Sequence, residues 1–422
     1  MSPHTHGVAR PRRAAIGAMT AIALGFSGAP AWTQSATNDA SLFPEDERIL
    51  EFGSAERNVT VAPFVQLDAG YFDVDPGNAA FSSDVALARL YFFGSYDDFG
   101  GTLAFDLEDD DFVYRYAFAN YALTDRLTVQ VGQQDEPFSL QDFSGGRFLP
   151  FATGGQSAAL IPGDNLGAAL LYGGDSYSLA AGVFVGDVNT GTGDEGTALT
   201  ARATWAPIYA QEEITRGGDA TREGTGTQRV TDLLHLGAAL SRRSDIEEPF
   251  AFSGGTNSTL PGAGLASGPS FGDVDSLTRL NLEAARSVGS LSLQAELTAA
   301  HVDPADGGGR TAHGGYVYAT YFLTGEKRGY DRSSGTFGRV VPIRPVDQGG
   351  FGALELGLRA DYLDLTDLGA EAGRQYGLSA VANLYLTKRV TLTADYSYGR
   401  GTAGAIDGAE SRAVTARLQF AY

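Results

Sequence analysis

The sequence predicts an all-β fold, a transmembrane antiparallel β-barrel of about 16 strands. Three observations carry that prediction. Apolar and polar residues alternate with period two over segments about ten residues long, the length a tilted strand needs to cross the hydrocarbon. Tyr, Phe and Trp gather at segment ends, in "YFFGSY", "VYRYAFANY" and "ATWAPIY", as in an interfacial girdle. Charges stand in mid-strand on the polar faces, where a dry sandwich core would not tolerate them unpaired but a wet lumen does.

The 422 residues divide into three parts. Residues 1–31 read as a signal peptide: Arg10, Arg12 and Arg13 precede the short apolar run "AAIGAMTAIALGF", and Ala29-Pro30-Ala31 supplies small residues for cleavage after Ala31. Losing three Arg and no acids takes the formal charge from −21 to about −24. Residues 32–58 carry no strand pattern and read as a periplasmic arm, in which "PEDERILEF" fits a short helix. Residues 59–422 form the barrel, with no run of 18 apolar residues that would make a spanning helix.

The strands fall at 59–72, 84–96, 101–108, 113–122, 126–133, 164–173, 176–186, 198–206, 232–243, 276–287, 290–301, 312–323, 351–363, 374–386, 389–399 and 411–422. In "SLSLQAELTA", Leu291, Leu293, Ala295 and Leu297 oppose Ser292, Gln294, Glu296 and Thr298. The tight turns "YDDFG", "LTDR", "YGGDS", "SVGS" and "LTKR" belong on the periplasmic side. Two links on that side are long and charged, 207–231 and 324–350. Loop 134–163 is long, and loop 244–275 is acidic and external. The last strand, "SRAVTARLQFAY", places Val414, Ala416, Leu418, Phe420 and Tyr422 on one face. It is expected to pair with the first strand, leaving no edge, and to set its aromatic end in the membrane interface.

Composition narrows function. There is no cysteine, hence no disulfide framework or thiolate chemistry. The acidic balance argues against nucleic acid as a partner. A narrow lumen selects by charge because its low-dielectric walls focus the field of the lining groups. Alternation puts Arg89, Arg115, Arg202, Arg279, Arg359 and Arg417 on the lumen face, against Asp68, Asp106, Glu108, Glu283, Glu296, Glu355, Asp361 and Asp395. In loop 134–163 Arg147 is the only base, beside Asp135, Glu136 and Asp142.

Two stretches carry a family resemblance: "VGQQDEPFSLQDF", and a longer one from "GYVYATYFLTGEKRGYDRSSGTFGRV" through "VPIRPVDQGGFGALELGLRADYLDLTD". With "YFLTGE", "GTFGRV" and "RPVD" in that order, the chain resembles the phosphate-selective porin O/P family, more weakly over most of 59–422. The resemblance implies a homotrimeric channel in a Gram-negative outer membrane, narrowed by inward-folded loops with loop 134–163 among them, whose luminal Arg and Lys pass phosphate-type anions. It also implies a C-terminal strand read by the barrel-assembly machinery. In link 324–350, Lys327, Arg328, Arg332, Arg339 and Arg344 face Glu326, Asp331 and Asp347, a local balance of about +2. The resemblance folds this link into the lumen, and Arg328, Arg332, Arg339 and Arg344 are then the expected anion donors.

Other classes compete. The acidic lumen and loops suit a general or mildly cation-preferring porin. A plugged lumen suits a structural or adhesive surface barrel. A rim hydrolase needs a nucleophile beside a histidine. His235, His301 and His313 have no nucleophile motif near them, and Asp303 and Asp306 lie in an ordinary Gly/Asp turn. No enzyme activity, cofactor or resident metal is expected, beyond weak calcium binding by the acidic outer loops. The expected partners are outer-membrane lipid and small inorganic ions such as phosphate.

Overall fold

Alternation along each strand leaves two rows of side chains, and the backbone closes so that the polar row points inward. The computed structural model describes residues 50–422 apart from 54–56, 76, 78, 109–110, 191–194, 214–227 and 255–267. The signal-peptide and helix readings before residue 50 lie outside the described residues.

The first half of the ring consists of β2 (Arg57–Asp75), β3 (Ala79–Tyr96), β4 (Phe99–Glu108), β5 (Asp111–Thr124), β6 (Leu127–Asp135), β7 (Asp164–Gly173), β8 (Tyr177–Phe184) and β9 (Thr197–Glu213). The second half consists of β10 (Gln228–Ile246), β11 (Val274–Val288), β12 (Leu291–Pro304), β13 (Arg310–Phe322), β16 (Ala353–Asp364), β17 (Arg374–Tyr385), β18 (Val390–Ala403) and β19 (Glu410–Ala421). Every neighbour is antiparallel, and β19 pairs back onto β2, with Ala416 opposite Ala69 and Arg417 opposite Asp68. These 16 strands are a closed barrel with no free edge. None of the described helices is long and apolar enough to cross a membrane.

Burial is inverted relative to a soluble protein. On β12 Leu297 is 63% exposed while its neighbour Thr298 is 3% exposed. Leu358, Leu378 and Leu418 also face outward, and Gln294, Asn281 and Glu296 face inward. This pattern fits a barrel whose outer solvent is lipid.

Three details differ from the sequence reading. Leu50–Gly53, whose first three residues read as the end of a helix, is strand β1, paired antiparallel with Asn58–Val61 of β2. Link 207–231 is shorter than expected because β9 and β10 stay paired beyond the predicted ends, to Glu213 opposite Gln228. Tyr422 does not face the interface: beyond the last paired residue it is fully buried, clustered with Ala62, Phe64, Tyr91 and Phe93, and Arg389 lies 4.2 Å from its ring centroid. Its amide donates to the Pro63 carbonyl, which turns the chain end inward.

One half of the interior is filled. Leu160, Phe252, Phe271, Leu277, Val302, Leu363 and Leu368 form an apolar cluster bounded by β11–β13 and β16. It packs against the inward loop after β6 and leaves the opposite half open.

Candidate functional site

Two segments enter the barrel from opposite ends and meet inside. Loop 136–163 enters from the long-loop end and carries the short helix α1 (Leu140–Ser144), capped by the Ser139 hydroxyl, which accepts from the Asp142 amide. Link 323–352 enters from the tight-turn end and carries a two-stranded ribbon, β14 (Tyr330–Asp331) with β15 (Thr336–Phe337). The Arg328 guanidinium donates to the Phe148 carbonyl at 3.2 Å, and the Phe337 amide donates to the Ser144 hydroxyl at 3.0 Å.

The carboxylates of the filled half hold these segments to the wall. Glu296 accepts from the Leu140 and Gln141 amides at 3.1 and 2.8 Å, while Tyr316 donates to it. Asp361 accepts from the Gln156 amide and Asp395 from the Ala152 amide. Glu355 accepts from Arg328 at 3.0 Å, with both side chains almost fully buried. Glu136, at the loop's start, takes Arg243 at 2.7 Å and Asn165 at 2.7 Å, as well as Thr200. Each buried backbone N–H thus gains a charged acceptor, the stronger class of hydrogen bond, and the carboxylates are covered in the process.

Three arginines serve the same purpose. Arg359 pairs with Asp361 and donates to the Thr153 carbonyl. Arg417 pairs with Asp68 and donates to the Ala152 carbonyl. Arg202 pairs with Glu283 at 2.7 Å and donates to the Ser334 and Gly335 carbonyls at the ribbon's tip. Gly335 has φ of 67°, and a Cβ there would lie 2.4 Å from the Thr204 hydroxyl, so only glycine lets the tip touch the wall. Beneath it, the buried His235 bridges the Tyr330 hydroxyl at 2.6 Å and Glu283 at 3.2 Å.

What remains open is a cavity of about 900 Å³ along β2–β9 and the two inserted segments. Its charged lining is Arg89, Arg115, Arg147, Arg202, Arg332, Arg339 and Arg417, against Asp135, Asp142, Asp175 and Asp331. Seven bases face four acids there, where the lumen-face alternation alone counted six against eight. Arg89 is held by Asp106 through paired contacts, and Arg115 by Asp135 at 3.3 Å and by Asp164. Arg147 lies 4.8 Å from the Tyr91 ring centroid and 5.1 Å from that of Phe148. Burial, and then the like charge of Arg339, lower its pKa to about 9. Burial and Arg389 lower Arg339 to about 10. Such neighbours welcome an anion, because it restores what burial and repulsion remove.

Of the arginines expected in the link, Arg332 and Arg339 line the cavity. Arg328 is buried behind it against Glu355. Arg344 is exposed and, like the half-buried Lys327, lies outside the lining. Arg279 points inward on β11 but is also outside the lining, as is Arg359. Arg243 escaped the sequence reading, although it shares the parity of the buried His235 and Ser241. Tyr91 and Tyr116 escaped it as well, since an aromatic residue near a strand end reads as girdle, and so did Phe148, which sits in the inserted loop where no alternation assigns a face. His301 bonds to Thr311 and Asp303, and His313 rests on Tyr362. Among the described residues no group of three His, Cys, Asp or Glu converges as a metal site.

Comparison with known proteins agrees with this architecture. Residues 65–422 match the family described as phosphate-selective porin O and P. A protein of Caulobacter vibrioides is 29% identical over 347 residues, which is 77% of this chain and 65% of that protein's length. Among solved structures, the anion-selective porin from Comamonas acidovorans superposes with a TM-score of 0.53 at 12% identity, covering 87% of this chain and all of that one. The outer membrane channel DcaP of Acinetobacter baumannii gives 0.51 at 14% identity, covering 89% of this chain and all of that one. Outer-membrane expressed OmpT of Vibrio cholerae gives 0.52 at 14% identity, covering 88% and all. With its closed barrel, its loops folded into the lumen and a family match over nearly all of the barrel, the chain belongs to the phosphate-selective porin O and P family and is an outer-membrane channel.

Proposed function

We propose that the channel passes small phosphate-type anions by passive diffusion, with Arg147, Arg332, Arg339, Arg89 and Arg115 as the groups that meet them. The observation that carries this reading is the division of charge. Carboxylates of the filled half are covered by loop amides and by Arg328, whereas the open cavity is lined by Arg147, Arg332 and Arg339 of the inserted segments, beside Arg89 and Arg115, which Asp106, Asp135 and Asp164 hold in place. Guanidinium groups suit a phosphoryl anion because their planar fork donates paired hydrogen bonds. The work is diffusion and not catalysis, so no residue is assigned a catalytic role. Residues 1–31 serve as the export signal and 32–58 as a periplasmic arm, and the barrel assembles as a trimer. The trimer follows the family resemblance, and a trimer form of OmpT of Vibrio cholerae has the same fold.

The formal charge of −21 favours a second reading, a mild cation preference. A reversal potential across a chloride gradient in a planar bilayer separates the two. Reversal toward the anion potential, with phosphate blocking the chloride current, is expected. Reversal toward the cation potential without phosphate block overturns the anion reading.

A further inference from the structure

The arginines along the cavity are not equivalent. Arg89 and Arg115 are paired with aspartates, Arg417 with Asp68 and Arg202 with Glu283. Arg339 donates to the Ala421 carbonyl at 3.0 Å and to that of Lys388. Arg332, in the turn of the ribbon, differs: among the described residues it makes no ion pair and no hydrogen bond. Its guanidinium lies over the Tyr209 ring, 4.2 Å from the centroid, and the half-buried side chain reaches the cavity.

The nearby acids leave that charge in place. Asp331 accepts from the Ser333 amide and hydroxyl at 2.8 and 2.7 Å and from the Ser334 hydroxyl at 3.1 Å, so its carboxylate turns back onto the ribbon. Asp175, in a tight turn at the same end of the barrel, is exposed and pairs with Arg126 at 2.9 Å. Tyr209 is fixed in turn: its hydroxyl donates to the Gln211 side chain at 2.6 Å, and its ring leans on Tyr330 at 6.3 Å. A guanidinium laid flat on a ring has one face covered, and its edge, where the N–H groups lie, stays available. That fork fits two oxygens of one phosphoryl or carboxylate group. A halide has no second atom to fill it.

We propose that Arg332, held flat by Tyr209, is the specificity-determining residue of the channel, which favours forked oxyanions over halides at the tight-turn end of the lumen. The inference rests on the anion reading above and assigns its discrimination to one residue. Tyr209 is a positioning residue: it touches the guanidinium and not the anion.

The test uses the mature chain in its native assembly, reconstituted in a planar bilayer. Two quantities are read: the reversal potential across a chloride gradient, and the phosphate concentration that halves the chloride current. Arg332→Lys keeps the charge and loses the fork. It should keep the anion reversal while raising the half-blocking phosphate concentration about tenfold, the loss of one hydrogen bond to a charged group. Tyr209→Leu should raise it about two- to fivefold, the ratio one exposed cation–π contact supplies, and Tyr209→Phe should keep the original value. Arg344→Lys, exposed and outside the lining, should change nothing. Unchanged phosphate block in Arg332→Lys, in a channel that still reverses toward the anion potential, overturns the assignment alone. Reversal toward the cation potential in the unmodified channel overturns the parent reading and the assignment with it. A second measurement needs no variant. Phenylglyoxal modification of Arg332 in the unmodified channel, located by mass spectrometry, should be slowed by phosphate and not by chloride at equal ionic strength. Equal rates in the two anions overturn the assignment even if the variants fail to fold.

Discussion

Arg328 and Glu355 are both almost fully buried, and their ion pair fastens link 323–352 to β16. Removing one member of such a pair strands a charge in a low-dielectric interior. Arg328→Ala should therefore destabilise the folded barrel by about 3–5 kcal/mol, read as a lower denaturant midpoint in detergent micelles. Arg344→Gln, at an exposed position, should leave that midpoint in place. Asp142 provides a pH test. Burial first, and then the Asp135 and Glu296 carboxylates, push its pKa up to about 7, against the opposing pull of Arg115 and Arg89. Below that value its carboxyl is neutral and the cavity loses one negative charge; above it, the charge returns. Anion preference should thus strengthen as pH falls from about 8 to about 6, a window set by that value on either side. Asp142→Asn should hold the low-pH selectivity throughout. An unchanged pH profile in that variant would assign the titration to another group.

Loop 136–163 stays inside because β12 and β16 offer it acceptors. Glu296 alone takes two amides of α1. Glu296→Ala leaves both buried N–H groups unpaired, at about 1–3 kcal/mol each, and frees the loop from the wall. The expected result is a larger and noisier single-channel conductance with weaker charge selectivity, while the strand content by circular dichroism is retained. A conductance equal to that of the unmodified channel would mean that Asp361, Asp395 and Glu136 suffice to hold the loop. The sequence marked this loop as inward-folded through its resemblance, and Glu296 as luminal through parity. It did not reveal that the two bond to each other, because a hydrogen bond across 155 residues leaves no trace in local periodicity.

For the whole molecule, lipid replaces water as the outer solvent. Leu297 stands mid-strand on β12 and faces outward. Leu297→Arg should cost about 2–4 kcal/mol in folding into bilayers, measured as the shift in urea midpoint in lipid vesicles. Glu283 and Asp395, in contrast, are tolerated in mid-strand because each is paired inside. Most of the strand map was legible for the same reason: two solvents, lipid outside and water or polar protein inside, impose a period-two pattern on every strand. Where a single solvent contact did not set the pattern, the reading slipped. Leu50–Gly53 lacks an alternation long enough to register, and Tyr422 keeps lipid-face parity yet lies past the last paired residue and turns in.

The sequence by itself determined the barrel, the place and facing of its strands, the inward row of charges and the family, because each follows from local alternation or from short ordered motifs. Only the tertiary structure decided which charges the lumen presents. Alternation places acids and bases alike on the inner face, and their balance there looks acidic. The inserted segments then spend the carboxylates of one half on backbone amides and on Arg328, and bring their own Arg147, Arg332 and Arg339 to the open space, beside the ion-paired Arg89 and Arg115 of β3 and β5. The electrostatic field of a pore depends on which groups remain solvated after such pairing, and pairing between distant segments is a property of the folded chain.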